Sequence, residues 1–182
     1  MIHILQDGEF SIKKSTMKGA GMGLFSKTKI PAETIIPYNT IIKKYADISD
    51  EEDDTYYMGV SYIDDEGESK TLRGYVADGN PSQKCFKRKR SSLVAASYVN
   101  EASSPPNCVF VSNPLHTKES LKKLTKGKPE IFASCFLIVP WEIKEGQELF
   151  TMYGPYSVRK YKQWRDRKRV QKRSHRCISH HN

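Results

Sequence analysis

The stretch "SYVNEASSPPNCVF", residues 97–110, places two consecutive prolines, Pro105 and Pro106, between Asn100 and Asn107. Apolar residues lie on both sides of it. Prolines fix the path of a chain, and an asparagine carboxamide both donates and accepts hydrogen bonds. The stretch therefore predicts a carboxamide held at a strand end, where it recognises an amide or amine. An ordinary loop whose asparagines cap turns is the alternative.

A second motif is the glycine-rich stretch "KGAGMGLFSKTKIPAETI", residues 18–35. Gly19, Gly21 and Gly23 permit a tight turn and a close approach of backbone to a ligand, and a strand begins at Leu24. The motif opens no helix, has no acidic residue at the expected distance on a strand and lacks GK[ST]. It is therefore neither a dinucleotide fingerprint nor a phosphate loop. By itself, such a glycine cluster is most often a turn.

The third motif is "IKEGQELFTMYGPY", residues 143–156, in which a glycine turn precedes a strand that ends at Tyr153 and Gly154. In this order and spacing, the three motifs resemble the SET domain of protein lysine methyltransferases. That family shows a GxG followed by Leu-Phe, then an Asn-His-Ser…Pro-Asn block, then a Gly-Glu-Glu-Leu…Tyr strand. The resemblance covers roughly residues 10–156.

Short apolar segments rich in Val, Ile, Tyr, Phe and Thr recur between turn residues, which predicts a mainly β domain with some α-helix. Helices are predicted around 49–59, over 91–97 and from Ser157 onward. The resemblance implies a SET-domain fold of several short curved sheets, a C-terminal helix and a pseudoknot in which the opening stretch threads a neighbouring loop.

The chain length of 182 residues fits one domain with an appendage. We expect a SET domain over 1–156, with a variable insert at 46–95, and a basic C-terminal helix or tail over 157–182.

The resemblance also implies S-adenosylmethionine as the cofactor. The backbone around Gly21, Met22 and Gly23 would cradle its methionine part, and Asn100 would bind its amino group. The backbone of residues 100 and 101 would face the adenine. Tyr153 corresponds to the catalytic tyrosine, which orients methyl transfer and shapes a narrow lysine channel.

Further residues are expected to line the cofactor site or the substrate channel, and these are Tyr98, Thr151, Tyr156 and Trp164. Thr151 stands where many relatives have the Phe or Tyr that controls the number of methyl groups, so the degree of methylation stays open. Trp164, or Tyr161 beside it, would stack on adenine, with core packing as the alternative.

The sequence departs from the family pattern at Glu101, where His is usual, and at the altered loop "ASSPPN". It also lacks the cysteine-rich motif that binds zinc after many SET domains. The four cysteines show no CxxC pair, so we expect reduced thiols and no metal; the terminal "HRCISHH" is more typical of a solvated end than of a zinc site.

The net charge of +9 comes wholly from the C-terminal tail, because residues 157–176 hold ten Lys or Arg and one acid, Asp166. The tail predicts contact with DNA or a nucleosome, or a nuclear import signal. The acidic stretches at 47–54 and 64–68 are expected to attract a basic protein substrate such as a histone tail. Solvated loops are the alternative for either charge run.

No stretch approaches the ~20 apolar residues of a membrane-spanning helix, so we expect a soluble intracellular protein, nuclear or otherwise cytoplasmic. The favoured function is a protein-lysine N-methyltransferase acting on a histone or another basic protein. A catalytically inactive SET-fold module that recruits chromatin or protein partners is the first alternative. A β-rich nucleic-acid-binding domain is the second, disfavoured because the basic residues lie outside the strands.

Overall fold

The computed structural model describes residues 2–49, 56–86, 91–101, 105–113 and 115–152. Its strands, rich in β-branched and aromatic residues as the sequence predicts, are β1 Phe10–Lys14, β2 Met22–Ser26, β3 Ile35–Lys44, β4 Tyr57–Ile63, β5 Ser69–Asp78, β6 Asn100–Glu101, β7 Val109–Ser112, β8 Phe132–Ile138 and β9 Phe150–Thr151. The mainly β architecture of several small sheets confirms the predicted fold class.

A five-stranded antiparallel sheet, ordered β4-β5-β3-β8-β7, forms the body of the molecule. One apolar cluster joins its β3 and β8 side chains to β2 and to the segment after β8, with Leu24, Leu137 and Leu149 fully buried. A second cluster lies under β4 and β5, around Val60 and Leu121. The first cluster fixes the surroundings of the predicted site.

The glycine-rich motif forms a separate antiparallel hairpin of β1 and β2, in the register Lys14↔Met22 to Phe10↔Ser26. The segment before β9 continues this hairpin, because Leu149 N donates to Leu24 O at 2.8 Å and Ser26 N donates to Gln147 O at 2.9 Å. Two of the three sequence motifs are therefore in direct contact, although more than a hundred residues separate them.

The C-terminal strand β9 lies between two parts of the opening stretch. On one side it pairs in parallel with β6, and on the other the carbonyl of Phe150 accepts hydrogen bonds from Asn107 N at 3.0 Å and Cys108 N at 2.8 Å. Such an arrangement supports the threaded pseudoknot that the resemblance implied.

The helix predicted from Ser157 onward lies outside the described residues, and the other two helical predictions are only partly correct. The stretch 91–97 forms two short 3₁₀ helices, Ser91–Leu93 and Ala95–Tyr98, and a third covers Tyr45–Asp47. The helix expected around 49–59 is wrong at its end, because residues from Tyr57 onward belong to β4. The α-helix α1, Lys118–Leu124, was not predicted; it begins with a capping box between Thr117 and Ser120.

Within the described ranges, no helix has the length and apolar character needed to cross a membrane.

Candidate functional site

Gly21 and Gly23 are needed for different reasons. Gly21 has a φ of 75°, and nothing lies within 4 Å of the point where a Cβ would stand, so its backbone conformation alone demands glycine. Gly23 lies in β2, and a Cβ built there would stand 2.2 Å from Glu148 Oε1. The sequence indicated a close approach of backbone to cofactor at Gly23, whereas the structure shows a carboxylate filling that space.

Asn100 joins the opening stretch to the glycine-rich motif. Its side-chain nitrogen Nδ2 donates to the carbonyl of Met22 at 2.9 Å and makes a longer contact of 3.4 Å with Glu148 Oε1. Both amide hydrogens therefore have an acceptor. Among the described residues no donor reaches the other end of the carboxamide, Oδ1, so this oxygen can accept a hydrogen bond from a ligand.

Glu148 is the buried centre of this arrangement, with only 5% of its surface exposed. Its Oε1 accepts from Ser15 Oγ at 2.6 Å, and its Oε2 accepts from Thr16 N at 2.8 Å and from the Thr16 hydroxyl. The carboxylate thus ties the loop after β1 to the segment that leads into β9.

Asn107 holds the opening stretch against that same segment. Its Nδ2 donates to Glu148 O at 2.9 Å, and its Oδ1 accepts from Phe150 N at 2.6 Å. The side chain is buried, and its Oδ1 also faces the Cys108 thiol at 3.8 Å, so Asn107 is a structural residue. It fixes the position of the chain just before Tyr153.

Glu101 and Thr151 are neighbours across the parallel pair of β6 and β9. Glu101 is 4% exposed, so the residue that replaces the family's histidine points away from solvent. Thr151 is fully buried, and its Oγ1 has no hydrogen-bond partner among the described residues. A buried hydroxyl without a partner costs about 1–3 kcal/mol, which makes it a candidate contact for a bound ligand.

The structure describes only some of the remaining predicted site residues. Met22 is half-exposed at the start of β2. Tyr98 is half-buried against the first apolar cluster, and burial raises the pKa of its hydroxyl above the usual range. The three other aromatic candidates, Tyr153, Tyr156 and Trp164, lie outside the described residues.

A cleft of about 460 Å³ is lined in part by Glu148. Its walls include the aromatic residues Phe25, Trp141 and Phe150, together with Thr16, Pro105, Asn107, Gly146 and Gln147. The predicted cofactor residues of the glycine-rich motif and Asn100 do not line it. The cleft is therefore adjacent to the Asn100 contacts and shares only Glu148 with them.

The turn between β4 and β5 carries a cluster of carboxylates, Asp64, Glu66 and Glu68, within the predicted insert. Backbone N–H groups of residues 68 and 66 bond to Asp64 and hold its pKa below the usual value. Lys70 pairs with Glu68 and, at 3.5 Å, with Asp64. The turn keeps a net negative charge on an exposed surface.

Sequence reasoning missed Glu148 and its partners Ser15 and Thr16. Glu148 lies in the third motif, but the sequence predicted only a turn and a strand there and gave Glu148 no role. The one available signal was a charged residue directly before the apolar pair Leu149 and Phe150. If such a carboxylate is buried with these neighbours it has to be paired or hydrogen-bonded, but the pattern does not identify the donors.

A family model described as "SET domain" matches residues 21–154. Among solved structures, the methyltransferase domain of human PR domain-containing protein 2 is similar, with a TM-score of 0.47, 14% identity, and coverage of 86% of this chain and 84% of that one. KRYPTONITE, in a complex with mCHH DNA, an H3(1-15) peptide and SAH, matches with a TM-score of 0.47 and 18% identity over 84% of this chain and 25% of that chain. No curated protein matches the sequence.

Proposed function

The chain belongs to the SET domain family, and from that premise we propose that it is a protein-lysine N-methyltransferase that uses S-adenosylmethionine and acts on a histone or another basic protein. The observation that carries the proposal is the meeting of the three motifs, in which Asn100 bonds to Met22 of the glycine-rich strand and contacts Glu148 of the strand leading to Tyr153. The motifs thus form one site.

The site fits S-adenosylmethionine in one specific respect. Asn100 Oδ1 is an acceptor without a described partner, and the α-ammonium group of the cofactor is a donor. The exposed Met22 and the open space at Gly21 leave backbone free to contact the methionine part. When bound, the cofactor supplies an electrophilic methyl group on its sulfonium.

The protein has to present a lysine amine without its proton, because a free lysine has a pKa of about 10.4. A narrow apolar channel favours the neutral amine by excluding water. In this proposal Tyr153 and Tyr156 shape that channel, and the buried Thr151 hydroxyl lies two residues before Tyr153 with an acceptor oxygen to spare. Holding the amine in line with the methyl group supplies most of the rate enhancement.

The acidic turn at 64–68 supports a basic substrate, because exposed carboxylates steer cationic peptides toward a site. We expect the KM for a Lys/Arg-rich peptide to rise with salt. A KM that is indifferent to salt between about 50 and 300 mM contradicts this part of the proposal, since screening over that range is substantial.

The basic tail supports a second contact, with DNA or a nucleosome, and a nuclear location. Removing residues 165–182 should weaken binding to DNA and flatten its dependence on salt. The truncated protein would displace fewer counterions from the DNA phosphates when it binds. Binding that is unchanged by the truncation argues against the tail as the contact.

Calorimetric titration of S-adenosylmethionine into the wild type and into Asn100→Ala tests the main proposal. Binding that Asn100→Ala weakens supports it, and methyl transfer to histones, with Tyr153→Phe as the inactive control, completes the test. No binding at millimolar cofactor refutes it.

The buried Glu101 favours the second candidate, an inactive binding module, because it replaces the family's histidine. Cofactor binding without methyl transfer to any basic protein would select that alternative.

A further inference from the structure

The carboxylate of Glu148 receives hydrogen-bond donors from three residues in two separate parts of the chain. They are the Ser15 hydroxyl, the Thr16 backbone and hydroxyl, and the Asn100 carboxamide. Among the described residues no lysine or arginine pairs with it. An ionised carboxylate accepts at about four positions and donates at none. Glu148 therefore meets four neutral donors, and each one uses it as an acceptor.

This pattern determines which way the Asn100 carboxamide faces. Its Nδ2 has the Met22 carbonyl at 2.9 Å on one side and the Glu148 carboxylate at 3.4 Å on the other, and both atoms are acceptors. Turning the amide over would place Oδ1 against two acceptors, which is unfavourable. The arrangement therefore keeps Oδ1, and not the NH₂ group, available to a ligand.

The carboxylate occupies the space where a side chain on Gly23 would stand. A Cβ on Gly23 would stand 2.2 Å from Glu148 Oε1 and 3.3 Å from Asn100 Nδ2. The absent side chain of Gly23 therefore leaves room for the pair of Glu148 and Asn100. Gly23, the third glycine of the motif, therefore belongs to the same arrangement.

We infer that Glu148 is a positioning residue for cofactor recognition: it orients the Asn100 carboxamide so that Oδ1 faces the ammonium group of the bound cofactor. This inference rests on the proposed function. Glu148 need not touch the cofactor, because it acts through Asn100, and its own oxygens are occupied by Ser15 and Thr16.

The first experiment compares cofactor affinities in a double-mutant cycle. Glu148→Gln keeps the shape of the side chain but presents an NH₂ group to the donors around it. We expect it to weaken binding of S-adenosylmethionine about tenfold in the wild-type background and less than twofold in Asn100→Ala, because its effect passes through Asn100. Glu145→Gln removes a charge from an exposed residue three positions away and should leave affinity unchanged.

Kinetics provide a readout that a merely structural role would not move. Glu148→Gln should raise the KM for S-adenosylmethionine about tenfold, with kcat at saturating cofactor changed less than threefold, because the methyl-transfer step itself is not altered. A loss of kcat with KM unchanged overturns the inference. So does an equal loss of affinity in the wild-type and Asn100→Ala backgrounds.

A measurement without cofactor separates this inference from the proposed function. In the ligand-free protein, the side-chain NH₂ group of Asn100, assigned by its absence in Asn100→Asp, should exchange slowly with solvent. Exchange should accelerate about tenfold in Glu148→Gln and stay unchanged in Glu145→Gln. If exchange responds in this way but wild type binds no cofactor, the proposed function fails while the orienting contact stands. If exchange does not respond, the inference fails whatever the cofactor does.

Ser15→Ala keeps the inference testable if Glu148→Gln does not fold. It removes one donor to Oε1, the oxygen that also faces Asn100, and leaves both Glu148 and Asn100 in place. We expect a smaller loss of affinity, about threefold, that again disappears in the Asn100→Ala background. A loss that persists there overturns the inference.

Discussion

Replacing Gly23 with alanine tests the packing at the centre of the site. The new Cβ would stand 2.2 Å from Glu148 Oε1 and 2.9 Å from Glu148 Cδ, where ordinary contacts are about 3.5–4.0 Å. The carboxylate would have to move by more than about 1 Å, away from the hydroxyl of Ser15 and the backbone of Thr16. Hydrogen bonds to a charged group contribute about 1.5–3 kcal/mol each.

We expect Gly23→Ala to lower the free energy of unfolding by about 3 kcal/mol, the equivalent of losing one or two such bonds. In a domain of this size, that corresponds to a fall in Tm of about 6–12 °C. Equilibrium unfolding in urea, followed by circular dichroism, measures the difference directly.

Gly59→Ala is the matched control. Gly59 lies in β4 with nothing within 4 Å of a Cβ and with an ordinary φ, so alanine should be neutral there or stabilise by up to about 1 kcal/mol. In a Glu148→Ala background the clashing atoms are gone, and Gly23→Ala should cost less than about 1 kcal/mol. If Gly23→Ala costs as much with Glu148 absent as with it present, the steric reasoning is refuted.

Three further predictions concern other buried groups. Thr151→Val should raise the free energy of unfolding by about 1 kcal/mol, because it removes a buried hydroxyl without a described partner. The same change should slow methyl transfer. Destabilisation in a urea titration would contradict the stability prediction. Burial raises the pKa of Cys108 and Cys135 to about 12, so the folded state favours the neutral thiols. Their contribution to the free energy of unfolding is fully present below about pH 9 and is lost as pH rises from 9 toward 12. Unfolding free energies should fall over that window, and iodoacetamide at pH 8 should label neither thiol before unfolding. Leu121→Ala should cost about 3 kcal/mol, since Leu121 is the buried anchor of α1, and a near-neutral result would mean that α1 is not packed on the sheet.

The strands were predictable because their signal is local. Segments such as "GLFSK" and "IFASCFLIV" carry β-branched and aromatic residues between turn residues, and they form β2 and β8. The helix predicted over 49–59 extended an acidic pattern into Tyr57 and Met58, whose side chains instead belong to β4. Conversely, α1 has only seven residues, too few to show a helical period, so its capping box at Thr117 was the one available signal.

Several residues of the site could be predicted from their motifs, but the contacts between them could not. Asn100 and Gly23 were singled out from their motifs, yet their common partner Glu148 was not. Its donors Ser15 and Thr16 are 133 and 132 residues away in sequence, and the pairing of the segment before β9 with Leu24 and Ser26 brings them together. No local pattern encodes a contact of that separation.

The contacts of Glu148 also explain why the order of the three motifs is more specific than any one of them. The carboxylate has room because Gly23 has no side chain, and it is hydrogen-bonded because Ser15 and Thr16 precede the glycine-rich strand. Asn100 is oriented because both the strand and the carboxylate present acceptors to it. Each motif supplies the space or the hydrogen-bond partner that another motif needs. Losing one motif would therefore leave a buried charge without donors or an amide without a fixed orientation. A sequence that keeps all three therefore preserves a single physical unit, whichever substrate its variable insert selects.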